Sequence, residues 1–254
     1  MPCRNVLPKP VQKPHPPMWM ACTNRDTIRV AASKGIGALA FSFIDPDEAR
    51  AWAEIYYGII KSDACVPIGH SVNANIAMVS NFSVHHDRAE AIRRGQEGFE
   101  FFGYALNALV ARDTVPGRTD LWGEYIAARG DRTEAMALAS QNAGALSSGI
   151  GTPDDMRRHL AAFEAAGIDQ VIFMQQAGRN RHDHICQSLE LFAAEVMGEF
   201  HARMAAREAA KARELAPFIE AAMARKQWMK PLADDEIPIV RASVAKAQVN
   251  QTAA

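Results

Sequence analysis

The chain has 254 residues, 48% of them hydrophobic, enough for one large domain with a real core and about the length of a complete eight-unit parallel barrel. Its 28 basic and 29 acidic side chains nearly cancel, which excludes a general attraction to nucleic acid or to an anionic membrane. Cys3, Cys22, Cys65 and Cys186 have no CxxC spacing, there is no apolar leader, and no run of about 18 apolar residues occurs. A zinc or disulfide scaffold, secretion and a membrane span are therefore not expected, and a reducing cytoplasm is.

Apolar runs alternate with helical periodicity along the chain, the pattern of βα units and a parallel sheet. Prolines 8, 10, 14, 16 and 17 fix φ and remove amide donors, so the approach is extended and a strand can form only over 18–21. Thr23 follows with the chemistry of an N-cap and Asp26 three residues on, predicting a helix that runs to about residue 34 and starts with free N–H groups. Such a start suits a phosphate, although the spacing alone is a general helix signature. Residues 35–41 read as a second strand covered on both faces, and Asp45-Pro46-Asp47-Glu48 opens the next helix.

A third strand spans 75–84, closed by Asp87 and Glu90 as a capping pair. A helical insertion over about 91–148 follows, broken at Val115-Pro116-Gly117. Thr152-Pro153-Asp154-Asp155 then starts a helix, and 171–174 is the fourth strand. Residues 182–213 are helical, a further helix covers about 217–229, and the tail after 231 is an arm. The expected domains are residues 1–200 and a C-terminal helical extension with its tail, 201–254.

Two segments carry a resemblance. One is Leu7-Pro8-Lys9-Pro10-Val11-Gln12-Lys13-Pro14-His15-Pro16-Pro17-Met18-Trp19-Met20-Ala21-Cys22-Thr23 running into Asn24-Arg25-Asp26-Thr27. The other is Gly151-Thr152-Pro153-Asp154-Asp155, then Gly167-Ile168-Asp169-Gln170-Val171-Ile172-Phe173, then Ser188-Leu189-Glu190-Leu191-Phe192-Ala193-Ala194-Glu195-Val196-Met197. Over about residues 5–200 the chain resembles the luciferase-like flavin monooxygenases, first around their fifth strand and then in the last βα unit and closing helix. Gly198 stands where that family usually has proline.

The resemblance implies an α/β TIM-barrel-type fold, here a half barrel of parallel strands covering the fifth to eighth βα units. It also implies oxygenation of a small organic substrate by O2 and reduced FMN from a separate reductase, with the deazaflavin F420 as the alternative. A truncated, non-catalytic subunit that only associates is the competing reading. Thr23 would contact the flavin phosphate, supported by Asn24 and Thr27, while Phe41 and Ser42 would line the ring pocket. The residues themselves add Gly178 and Arg179, a backbone nest and a cation after the last strand. No catalytic residue is named, because the family draws much of its pocket from the first four strands. Free strand edges predict a homo-oligomer and no turnover by the isolated chain.

The bland readings are helix capping for Thr23, strand packing for Phe41 and Ser42, and an inert buried thiol for Cys22. His85-His86 and His182-Asp183-His184 lack metal-ligand spacing and read as loop and cap residues.

Overall fold

The computed structural model describes residues 8–41, 43–111, 114–115, 117–130, 149–228 and 233. Pro17–Arg225 is one compact unit, and Met1–Pro16 with Lys226–Ala254 is another. The first contains β1 (Trp19–Cys22), α1 (Arg25–Ser33), β2 (Gly37–Ala40), α2 (Pro46–Ile60), β3 (Ile76–Asn81), β4 (Ser83–Val84), α3 (Arg88–Ala111) and α4 (Leu121–Gly130). It continues through β5 (Ile150–Gly151), α5 (Pro153–Ala165), β6 (Gln170–Met174), α6 (His182–Phe192), a π turn at Ala193–Met197 and α7 (Gly198–Arg225).

β1, β2, β3 and β6 form one all-parallel sheet in that order, with Met20 opposite Ala38, Ala38 opposite Ile76, and Met78 opposite Val171. The sequential parallel order expected from the alternating helices therefore holds, and every strand's C-terminal end meets one rim. Side chains alternate across the sheet. Cys22, Ala38, Ala40, Ile76 and Met78 pack into a core with Ile28, Ala31 and Ala32 of α1, Trp52 and Tyr56 of α2, and Leu215 and Ala222 of α7. A second core joins Phe82, Val84, Met156 and Val196 to Phe173 and Phe192.

Close approach needs glycine at two places. Gly35, at φ +62°, ends α1 so that the chain can turn into β2. A Cβ on Gly37 would strike the Trp19 ring and the Asn73 amide, so the tight β1–β2 seam requires a residue without a side chain.

Several expectations need correction. The α1 cap is Asn24, one residue later than Thr23, and its return partner is Thr27 rather than Asp26. Strand pairing carries the extended backbone on through Cys22, and Asn24 takes the extended cap conformation in its place. The 75–84 strand breaks at Phe82, whose ring turns to stack 4.6 Å from Phe173 while β4 leaves to pair with β5. The helix expected to stop at 213 and restart at 217 is continuous to Arg225 with Pro217 inside it. Tertiary packing of Leu215, Ile219 and Ala222 overrides the proline there. Gly198 likewise stays helical, at φ −59° and ψ −38°.

Candidate functional site

The rim above β1 is built by the turn into α1. Asn24 Oδ1 accepts from the Thr27 amide at 3.0 Å, and Thr27 Oγ1 accepts from the amides of Asn24 at 3.3 Å and Thr23 at 3.2 Å. The cap thus occupies three donors, and the amides of Arg25 and Asp26 remain directed out of the helix start. Thr23 is exposed, and its hydroxyl makes no hydrogen bond among the described residues. Arg25 is held bidentate by Glu48 at 2.9 and 2.5 Å, which draws that guanidinium toward α2. The Asp26 carboxylate in the first turn already complements the helix dipole and weakens the attraction for a second anion.

Phe41 lies just past β2, 39% exposed at the same rim, with edge contacts to Phe43 at 6.2 Å and to Phe102 of α3 at 6.1 Å. Ser42 lies outside the described residues. Beyond β6, Gly178 takes φ +56° and the Arg179 guanidinium sits 4.6 Å over the Trp122 ring of α4. Arg179 is therefore engaged with an aromatic face. β1 and β6 are the outer strands of the sheet, three strand spacings apart, about 14 Å, and Thr23 and Arg179 follow those two different strands. The structure gathers Thr23, Asn24 and Thr27 in one turn, sets Phe41 on the neighbouring strand end, and leaves Gly178 and Arg179 across the rim.

Sequence reasoning missed the aromatic wall that α3 and α4 raise over this rim. Phe99 packs 4.7 Å from Phe43, Phe101 4.8 Å from Trp122, and Tyr125 5.6 Å from both Phe101 and Trp122. The cluster Phe99, Phe101, Phe102 and Tyr104 within one helical stretch was the available signal. A buried polar pair was missed too. Ser80 Oγ and His159 Nε2 are 2.8 Å apart between β3 and α5, and burial lowers the His159 pKa to about 4. Cys22 is buried with its thiol pKa raised by desolvation, as an inert thiol should be. No group of three or more potential metal ligands occurs among the described residues.

A family model described as luciferase-like monooxygenase matches residues 4–170, from the proline-rich approach to the first residue of β6. The chain belongs to the luciferase-like monooxygenase family. Monooxygenase RslO1 from Streptomyces bottropensis is 22% identical with a TM-score of 0.50, covering 76% of this chain and 51% of its own. Apo-MsnO8 is 19% identical with a TM-score of 0.51, covering 73% and 52%. The coenzyme F420 dependent tetrahydromethanopterin reductase from Methanopyrus kandleri is 17% identical with a TM-score of 0.46, covering 72% and 51%. No curated protein matches.

This member of the luciferase-like family spans about half the length of those solved structures, and its four-stranded parallel sheet with helices is a partial TIM barrel. Luciferase-like proteins are typically oxidoreductases or monooxygenases. No described helix is long and apolar enough to cross a membrane.

Proposed function

We propose that this chain supplies the phosphate side of a flavin site, in a reaction where a small organic substrate is oxygenated by O2 and reduced FMN delivered by a separate reductase. The observation that carries the reading is the β1–α1 turn. A free Thr23 hydroxyl and the outward amides of Arg25 and Asp26 converge at a helix start on the C-terminal rim, where parallel barrels bind phosphate. A hydroxyl and two amides are the kind of donors a phosphate monoester takes, with Asp26 in the first turn and Glu48 on Arg25 as opposing charges. Phe41 on the adjacent strand end offers an apolar edge to a planar ring. When bound, the flavin supplies the redox chemistry, and the residues here bind and orient it. F420 as a hydride carrier is the alternative, and it differs in consuming no oxygen.

Titration of Thr23→Ala and Thr23→Ser with FMN and with F420 tests the site. Loss of one charge-assisted hydrogen bond costs about 1.5–3 kcal/mol, roughly ten- to a hundred-fold in affinity. Thr23→Ser should bind as the parent does. Equal affinity in the parent and Thr23→Ala removes Thr23 from the site, and tighter binding of F420 than FMN moves the cofactor to the alternative.

A further inference from the structure

Among the described residues the sheet is covered well on only one face. Among the described residues β1 has only β2 as a partner strand and β6 only β3, so both outer edges present unpaired backbone groups. The face turned away from α1 and α2 carries Trp19, Leu39, Val79, Ile172 and Met174, with Gln170 and Asn81 as its polar members, and Ile172 is 42% exposed. Parallel sheets are buried on both faces, and apolar free edges recruit strands.

The geometry points to a second copy of this chain as the cover, closing an eight-stranded barrel from two four-stranded halves. All four strands run the same way. A half-turn about an axis along them therefore sets β6 of each copy against β1 of the other, parallel in both seams and with no edge left over. Eight is the strand number at which a parallel barrel closes around a side-chain-filled interior.

The inner face of each half alternates large and small residues, with Ala21, Gly37 and Ala77 between Trp19, Leu39 and Val79, so that two copies can interdigitate. Two strand seams and an interior of about twelve side chains in three layers bury an area on the order of the ~1,600 Å² of a standard stable interface. This inference does not rest on the flavin reading and stands or falls separately.

Sedimentation equilibrium of the 254-residue chain should give twice its 27.8 kDa mass at micromolar concentration. Ile172→Lys places a charge on the inner face at a site already half-open in the single chain, and Ala21→Lys does so beside the other edge. Each should return the mass to a single chain with an unchanged far-ultraviolet circular dichroism spectrum. Leu106→Lys, on the exposed face of α3, should leave the dimer intact. Hydrogen exchange should show the β1 and β6 amides protected in the dimer and exchanging in Ile172→Lys. A parent chain that stays monomeric, a dimer that survives both seam variants, or a ladder of larger species would overturn the closure.

Discussion

His159 has the most strongly perturbed environment of any described histidine. Its ring is buried against Phe163, its Nε2 is held by Ser80, and its Nδ1 has no partner among the described residues. With the folded pKa near 4 and the unfolded value near 6.5, the unfolded chain binds more protons between those limits. The contribution is therefore fully present above pH 6.5 and is lost as the pH falls toward 4. Urea unfolding should give a stability about 2 kcal/mol lower at pH 5 than at pH 7 from this group alone. His159→Phe should flatten that slope. An unchanged slope in the variant would mean the imidazole is not buried in its neutral form. Nothing in the sequence marked this residue, because a histidine among the helical residues 153–165 gives no sign of which strand lies beneath it. A helix start just after Cys22 was legible because cap chemistry is local, but the cap pair is Asn24 with Thr27 and not Thr23 with Asp26, a shift that came from a strand end that propensity cannot locate.

At the scale of elements, the bottom of the sheet is tied together by Asp169, the residue before β6. Its carboxylate accepts from the Ile76 amide at 2.8 Å, from Lys211 Nζ at 2.7 Å and from the Tyr57 hydroxyl, so one side chain joins β3, α2 and α7. Lys211 also donates to Asn75 Oδ1 at 2.6 Å. The Asp169 and Lys211 side chains are 10% and 21% exposed, and burial together with the Asp169 charge raises the Tyr57 pKa. Asp169→Ala removes the acceptor of the Ile76 amide and leaves Lys211 with Asn75 and the Tyr57 hydroxyl with the Ala74 carbonyl alone, and should cost about 3 kcal/mol. Asp169→Asn, which keeps an acceptor, should cost less. A cycle with Lys211→Met should show a coupling of about 1–3 kcal/mol, and additive losses would mean the pair does not interact. This clamp and the unbroken α7 share a cause that sequence reading lacks. Both depend on residues some forty to a hundred and forty positions apart, whereas a proline at 217 reads locally as a stop. Pro217→Ala should restore a helical hydrogen bond and raise stability by about 1–3 kcal/mol, measured by chemical unfolding.

At the scale of the molecule, the parallel order and the helix-covered face were legible because alternating βα periodicity admits almost one arrangement. What periodicity does not report is whether the other face is covered. The pattern of 35–41 reads as a strand buried on both sides, yet Leu39 and Val79 are only partly buried and Ile172 is exposed. A fold that completes its core only in a second copy has a stability inseparable from its concentration. If two chains close one barrel, a tenfold rise in concentration favours the dimer by about 1.4 kcal/mol, or about 0.7 per chain, which for a domain of this size raises Tm by about 1 to 3 °C. Scanning calorimetry over a hundredfold range should follow that slope for the parent chain. For Ile172→Lys the Tm should stay flat and lower, because the variant cannot recover the interior at any concentration. A flat Tm in both proteins would place the whole stability of the sheet within one chain, with its open face tolerated by α1, α2 and α7 alone.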